Sequence, residues 1–146
     1  MRGLVQRVRE ASVTVDGEVV GAIGAGLCVL VGVTHGDTEA VAKKLADKVW
    51  RLRIFDDDNG VMNRSVADTS QQILIVSQFT LYADTSAGRR PSYVQASRPE
   101  HAEPQIEVLI AELRRLGATV ATGRFRAEMK VSLINDGPVT VMLELP

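Results

Sequence analysis

Two short stretches of the sequence carry groups that could do chemistry. The first, SQFTLYAD (77–84), follows the apolar run ILIV. Ser77 and Thr80 supply hydroxyl groups, Gln78 supplies an amide, and the backbone where a strand emerges can present free N–H groups to a ligand. A strand that simply ends, with its apolar side chains packed inward, accounts for the same pattern, because hydroxyl-rich strand ends are common.

The second stretch, NDGPVT (135–140), places a proline directly after a turn signal. Asn135-Asp136-Gly137 predicts the turn of a β-hairpin. Pro138 has no N–H to donate and a fixed φ, so it suits a strand start or an edge strand. The residues alone favour a trans proline at the edge of a sheet. A cis bond, the rarer form before proline, would turn two neighbouring carbonyls the same way and form a rigid pair of acceptors.

Familiar metal, cofactor and nucleophile motifs are missing from the sequence. His35 and His101 each lack a second His, Cys or carboxylate at metal-ligand spacing, which favours surface or capping histidines. FDDDNG lacks the later Glu of a calcium loop, and VGAIGAG lacks the G-x-G-x-x-G pattern. There is no G-x-S-x-G elbow and no P-loop. We therefore predict no metal, no cofactor and no ordinary nucleophilic hydrolase.

The charge balance limits how the chain could meet a nucleic acid. The 146 residues carry a formal net charge of -1, so a nucleic-acid partner must be bound by a local basic cluster. The most plausible phosphate contacts are Arg89, Arg90 and Arg98, in the long loop DTSAGRRPSYVQASRPE. A solvated basic loop is an equal alternative.

Cysteine usage and hydropathy bear on the compartment. Cys28, the single cysteine, lies in the apolar run LCVLVGV, which predicts a buried core thiol rather than a nucleophile. It can form no internal disulfide, which suits a reducing compartment. The stretch MRGLVQRVREASV has no apolar signal core, and no run is long enough to span a bilayer. We expect a cytoplasmic protein with no membrane segment.

Two helices are predicted from apolar spacing. In TEAVAKKLADKVWRL (38–52), apolar side chains recur every three or four residues, and Asp37 or Thr38 can cap the start. A second helix is predicted over about residues 100–116, with Gly117 as its stop. Pro104 should then lie in its first turn or begin the helix.

The remaining segments are predicted to be strands. Asp16-Gly17 predicts a hairpin turn, and the continuous apolar run at 27–33 predicts a strand buried on both faces. ATVATG, MKVSLIN and VTVMLELP are three further strand candidates near the carboxyl end. Many strands with two main helices indicate one α+β domain spanning 1–146, with a largely antiparallel, curved, barrel-like sheet.

The two stretches taken together resemble the paired motifs of the D-aminoacyl-tRNA deacylases, the D-tyrosyl-tRNA deacylase family. SQFTL is followed about sixty residues later by NDGPVT, and MRGLVQRVREASV, RPSY and TGRFRAEMKVSLINDGPVT fall in the family's order. The likeness therefore extends over nearly the whole chain. Arg64, Arg126 and the loop SAGRRPSY depart from the family pattern, which bears on the details of RNA contact.

The resemblance implies a fold and a site. It implies a D-aminoacyl-tRNA deacylase-like fold and a homodimer with its active site at the subunit interface. In that site Ser77, Gln78, Phe79 and Thr80 come from one subunit, and a cis Gly137–Pro138 pair reaches in from the other. Other residues carry more open roles. Phe125 and Met129 would line the pocket near the terminal adenine, with core packing as the alternative, and Arg7 would brace the opposing hairpin.

The resemblance also implies a reaction. The substrate would be the 3′ end of D-aminoacyl-tRNA, and the fixed carbonyls would hold its ammonium so that an L side chain collides with them. Glycyl-tRNA, which has no side chain to reject, would be accepted too. The ribose 2′-hydroxyl would help to activate water, which fits the missing nucleophile. Two alternatives remain open: a non-catalytic D-amino-acid-binding dimer and a module that only binds RNA.

Overall fold

The computed structural model describes all residues from 1 to 146. Its helices and strands, in chain order, are β1 (Arg2–Val15), β2 (Glu18–Ile23), β3 (Gly26–Gly32), α1 (Glu39–Arg51), β4 (Phe55–Asp56), β5 (Met62–Arg64), α2 (Val66–Thr69), β6 (Gln72–Ser77), the 3₁₀ turn Phe79–Tyr82, α3 (Pro99–Arg115), β7 (Thr119–Thr122) and β8 (Lys130–Glu144). None of the helices is both long and apolar enough to cross a membrane.

One curved sheet organises the molecule and confirms the predicted α+β class. Strand β1 pairs antiparallel with β2, β3 and β8, whereas β3 pairs parallel with β6 and β6 pairs parallel with β7. The sheet nearly closes, because Gly21 in β2 lies so near β7 that an added Cβ would be 2.2 Å from the carbonyl oxygen of Thr122. The predicted turn at Asp16-Gly17 joins β1 to β2, with φ values of 50° and 78°.

Strands β3 and β6 carry the core on both of their faces, as the apolar run at 27–33 predicted. Leu27 and Val29 belong to a large cluster that includes side chains of α1 and α3. Cys28 belongs to a second cluster, packed with side chains from the far half of β1. The two clusters fix β3 and β6 from both sides, so the carboxyl end of β6 is held in a rigid setting.

The two predicted long helices are present, with one correction. Thr38 caps α1 by accepting a hydrogen bond from the N–H of Val41. Helix α3 begins at Pro99, and Pro104 lies inside it rather than in its first turn. The expectation for Pro104 was wrong because Pro99 already supplies the helix start, where proline is favoured. The single N–H that Pro104 lacks is near the exposed start of the helix, so its loss is tolerated.

The prediction of a hairpin at Asn135-Asp136-Gly137 was also wrong. Residues 130–144 form one continuous strand, and both halves pair antiparallel with β1. The register shifts between Gln6 and Val8 and again between Val8 and Glu10, so the extra residues bulge out of the strand without reversing it. Pairing with β1 on both sides of the bulge outweighs the local turn preference. We call residues 135–138 the bulge segment.

Candidate active site

The stretch SQFTLYAD forms a tight turn at the carboxyl end of β6. The N–H of Gln78 donates to the carbonyl of Val31 at 2.7 Å, which fixes the turn to the neighbouring strand β3. Gly32 allows this approach: a Cβ at that position would lie 3.1 Å from side-chain carbons of both Leu81 and Tyr82. Because Gly32 has no side chain, the turn can pack directly against β3.

Arg2 holds the same turn from its other side. Its Nη1 donates to the carbonyl of Leu81 at 2.7 Å, and its guanidinium lies 4.4 Å from the ring centre of Tyr82. Burial, with a smaller contribution from the charge of Asp37, raises the pKa of Tyr82 to about 12. Tyr82 is thus a neutral packing residue, whereas Phe79 from the same turn lines the neighbouring cavity.

A cavity of about 570 Å³ opens beside this turn. That volume lies within the usual range for small-molecule sites. Its lining comes from the ends of β3 and β6 and the turn after β6, from the loop before α3 and the start of α3, and from the segment between β7 and β8 and the start of β8: Val31, Val33, Val76, Ser77, Gln78, Phe79, Tyr93, Ala96, Ser97, Pro99, Ala102, Phe125, Arg126, Ala127, Met129 and Val131.

The structure brings together most of the residues assigned to one subunit. Ser77, Gln78 and Phe79 line the cavity, and so do Phe125 and Met129 from across it. The hydroxyl of Thr80, next to this lining, accepts a hydrogen bond from the side-chain amide of Gln78. The first amide groups of a helical turn have no acceptor within it. The N–H groups of Phe79 and Thr80 begin such a turn at the cavity edge.

An aromatic pair marks the mouth of the cavity. Phe79 is 56% exposed and Tyr93 is 43% exposed, and their rings meet edge to face with centroids 5.2 Å apart. Sequence reasoning missed Tyr93. Its signal was the scarcity of aromatic residues in the chain, since so few aromatics leave little reason to expose one.

The far wall of the cavity depends on a hydroxyl–imidazole pair that sequence reasoning also missed. The hydroxyl of Ser97 lies 2.5 Å from Nδ1 of His101, and Nε2 of His101 lies 2.8 Å from the backbone carbonyl of Asp37. A carbonyl can only accept, so Nε2 of His101 donates the hydrogen in that bond. The Ser97 N–H donates to the carbonyl of Val33 at 2.9 Å. These bonds fix the loop against α3.

The cavity lining contains no general base. Among the lining residues, Tyr93 and Arg126 are the only ionisable ones, and none is His, Cys, Asp or Glu. The hydroxyl of Ser97 is directed at His101, but Ser97 is only 8% exposed. The lining can therefore position an ester and stabilise negative charge with backbone N–H groups. It offers little means of removing a proton from water.

The bulge segment lies outside this cavity in the same chain. The Gly137–Pro138 bond is cis, as the resemblance implied and the residues alone did not. Arg7 contacts the bulge segment of its own chain, because its Nε donates to the carbonyl of Asp136 at 3.1 Å. Its Nη1 donates to the carbonyl of Ile54 at 2.8 Å, which joins the segment to the chain before β4. Gly137 has a φ of 120° and no room for a side chain, since an added Cβ would lie 2.6 Å from Nη2 of Arg7.

The three arginines predicted as phosphate contacts occupy different places. Arg89 and Arg90 are exposed in the long loop and do not line the cavity. Arg98 is exposed at the position before α3, between the lining residues Ser97 and Pro99. Arg98 is thus nearer to the cavity lining along the chain than the other two.

Comparison with known proteins gives consistent matches over the full chain. A family model described as D-Tyr-tRNA(Tyr) deacylase matches residues 4–144. The chain is 57% identical to a D-aminoacyl-tRNA deacylase of Heliobacterium modesticaldum, over 99% of this chain and 96% of that protein. It is 59% identical to one of Roseiflexus castenholzii, over 99% of this chain and 92% of that protein.

Two solved structures share the fold. The c-Myc DNA unwinding element binding protein superposes with a TM-score of 0.95 at 41% identity, covering 100% of this chain and 99% of its own. A probable eukaryotic D-amino acid tRNA deacylase superposes with a TM-score of 0.85 at 15% identity, covering 99% of this chain and 98% of its own. The second likeness concerns the fold alone, and together the two confirm the predicted fold.

Proposed function

The chain belongs to the D-Tyr-tRNA(Tyr) deacylase family, and from that premise we propose how it hydrolyses the ester of D-aminoacyl-tRNA to free amino acid and tRNA. It is an enzyme of the D-aminoacyl-tRNA deacylase class, like its close relatives. The observation that carries the function is the family match across residues 4–144, which includes both motif stretches. A cytoplasmic location is part of the proposal, since the substrate belongs to translation.

In the proposed mechanism the substrate supplies the group that activates water. The cavity lining has no general base, whereas the ribose beside the ester carries a free 2′-hydroxyl. The N–H groups of Phe79 and Thr80 stabilise the negative charge that develops on the ester carbonyl oxygen. Ser77 and Gln78 position the ester, and the Thr80 hydroxyl, held by the Gln78 amide, aligns the ester or the water.

Two substitutions and one modified substrate test this mechanism. Thr80→Ala should keep substantial deacylation, because the backbone amide of residue 80 remains. Ser97→Ala should also keep it, although Ser97 forms the one hydroxyl–imidazole pair at the cavity. D-aminoacyl-tRNA ending in 2′-deoxyadenosine should be hydrolysed far more slowly than the ribose form. Full activity on the deoxy substrate, with near-complete loss in either variant, would assign the chemistry to a side chain instead.

Selection against L-amino acids is assigned to Gly137 and Pro138 of a second copy of the chain. These residues lie outside the cavity of their own chain, in the middle of a strand whose only pairing partner is β1. The opposite edge of β8 thus has no paired strand on either side of the bulge segment, and a free edge can pair with another chain. Ile134 and Met142, 50% and 47% exposed on the same strand, add apolar surface.

The arrangement rejects L substrates by sterics. The partner's backbone carbonyls hold the substrate ammonium, so the direction of the side chain is set by chirality. An L side chain collides with the bulge segment, whereas a D side chain points away from it. Glycyl-tRNA, which has no side chain, should be hydrolysed as well. Comparable rates for L-tyrosyl-tRNA and D-tyrosyl-tRNA would contradict this account.

Mixed dimers test the shared site directly. Ala96→Trp should fill the cavity of its own chain. Gly137→Val should displace the carbonyls that hold the substrate ammonium, so each variant alone should be inactive. If the bulge segment acts on the neighbouring chain, random mixing should restore about a quarter of wild-type activity, because half the dimers carry one intact site out of two. If it acts on its own chain, mixing restores nothing.

The same experiments separate the alternatives. A D-amino-acid-binding dimer should bind free D-tyrosine without needing the tRNA ester. An RNA-binding module should bind tRNA in a salt-sensitive manner and release no amino acid. The deacylase requires both the ester and the ribose.

A further inference from the structure

Arg126 is the only positively charged residue that lines the cavity. It is exposed at the mouth, on the segment that joins β7 to β8. Its guanidinium forms no hydrogen bond and no ion pair within the chain, although Glu128 is two residues away. A cation at the mouth of a cavity with no internal partner remains available to a ligand.

The backbone at Arg126 is unusual as well. The N–H of Ala127 donates to the carbonyl of Arg124 at 3.1 Å, which closes a turn with Arg126 in its third position. The φ of Arg126 is 64°, in the left-handed region, and turns with such a value there favour Gly or Asn. An arginine is disfavoured in this conformation, and strained residues of this kind concentrate at functional sites.

The chemistry of the proposed substrate leaves one kind of partner for this cation. In an aminoacyl ester the carboxyl group is esterified, so the amino acid carries only a positive ammonium. The anions at this end of the tRNA are therefore the phosphodiesters. The nearest one is attached to the 5′ carbon of the ribose that bears the ester, and it must lie at the mouth when the ester is inside. A planar guanidinium suits a phosphate because it can donate two parallel hydrogen bonds.

We propose that Arg126 binds the phosphate on the 5′ side of the terminal ribose and so helps to select an RNA-borne ester. This inference rests on the proposed function, because it concerns the same cavity and the same substrate. It also changes the expectation for RNA contact, which named Arg89, Arg90 and Arg98. Those side chains do not line the cavity, so Arg126 is better placed than they are for the phosphate beside the ester.

Arg124 provides a matched control. It lies two residues before Arg126, is exposed, forms no side-chain hydrogen bond and does not line the cavity. Arg126→Ala and Arg124→Ala therefore change the net charge equally. Arg126→Gly removes the charge and relieves the left-handed backbone, so its thermal unfolding midpoint should not fall. Arg126→Lys keeps the charge but loses the planar fork.

The kinetic test compares D-tyrosyl-tRNA with D-tyrosyl-adenosine, which has no phosphate. On the tRNA, Arg126→Ala and Arg126→Gly should raise KM about tenfold or more, as expected for a charge-assisted hydrogen bond, with kcat nearly unchanged. The slope of log(kcat/KM) against log of salt concentration should become shallower by about 0.7 to 1. Arg126→Lys should lie between, and the adenosine ester should show no change. Equal effects of Arg126→Ala and Arg124→Ala, or equal losses on both substrates, would overturn the proposal.

A binding measurement keeps the inference separate from catalysis. The trinucleotide CpCpA and phosphate-free adenosine are titrated into wild-type and Arg126→Gly protein by calorimetry. The variant should lose affinity for CpCpA and keep that for adenosine. This result would support the phosphate contact even if no deacylation were found, whereas unchanged CpCpA binding would overturn it while leaving the deacylase function intact.

Discussion

Replacing Arg7 by alanine tests the contact that holds the bulge segment in place. Arg7 reaches from β1, and its side chain is only 13% exposed. It donates to the carbonyls of Asp136 and Ile54, and the Asn135 amide donates back to the carbonyl of Arg7 at 3.4 Å. The side chain thus ties the bulge segment to the chain just before β4.

The size of the effect follows from these contacts. A hydrogen bond from a charged donor contributes about 1.5 to 3 kcal/mol. The bond to Ile54 is half-buried and counts nearly in full, whereas the bond to Asp136 is exposed, so water replaces much of it. The ion pair with Asp56, at 3.8 Å and with a carboxylate 56% exposed, adds little. We expect Arg7→Ala to lower the free energy of unfolding by about 2 to 3 kcal/mol, or roughly 5 to 10 °C in Tm.

The assay measures stability and chiral preference in the same preparations. Urea unfolding is followed at fixed protein concentration, because the apparent stability of a dimer depends on protein concentration. Deacylation is measured with D-tyrosyl-tRNA and L-tyrosyl-tRNA, and the preference for D over L should fall in Arg7→Ala. Arg9 is exposed on the same strand and forms no side-chain hydrogen bond, so Arg9→Ala is the control. Indistinguishable stability and preference in the two variants would refute the reasoning.

Three further predictions concern packing, a thiol and a carboxylate. Gly26→Ala should lower the free energy of unfolding, measured by urea unfolding, by about 3 kcal/mol or more, because an added Cβ would lie 1.8 Å from a β6 carbonyl oxygen. Gly24→Ala is the control and should cost far less, because the atom nearest to its added Cβ is 3.8 Å away. Burial raises the pKa of Cys28 to about 11, so Ellman's reagent should label the unfolded chain and leave native protein unlabelled at pH 8, and prompt native labelling would contradict the burial. Hydrogen bonds from Ser65 lower the pKa of Asp68 below 3.8, so its stabilisation is complete above that value and is lost as pH falls through the folded pKa. Asp68→Asn should therefore show a flatter loss of stability below about pH 4 in acid titrations followed by circular dichroism, and an unchanged acid profile would count against the hydrogen bonds from Ser65.

The elements set by local spacing were predictable from the sequence. Apolar residues spaced three and four apart predicted α1 and α3 to within a residue or so of their ends, and Asp16-Gly17 predicted the turn between β1 and β2. Prediction failed at Asn135-Asp136-Gly137 because a local turn preference competes there with long-range pairing. The pairing of β8 with β1 involves residues more than a hundred positions apart, and no local pattern reveals it.

The candidate site was predictable only in part, for the same reason. Ser77, Gln78 and Phe79 follow a buried strand, so their place at a strand end could be expected from the chain. Tyr93 and Ser97 come from a loop without periodicity, and their contacts are made with distant strands. The loop's position depends on the bridge between Thr34 and Ala96, which no pattern in the loop indicates.

In the proposed function, catalysis and selection depend on two different parts of the molecule, the cavity and the bulge segment. The cavity lining holds no His, Cys, Asp or Glu that could activate water, and in the proposed mechanism the substrate supplies that group. The bulge segment is held by Arg7 outside the cavity of its own chain, and in the proposed function the steric filter therefore comes from a second copy. These two requirements are independent. A monomer that still prefers D substrates would remove the second copy from selection and leave substrate-assisted catalysis intact, whereas full activity on a 2′-deoxy substrate would do the reverse.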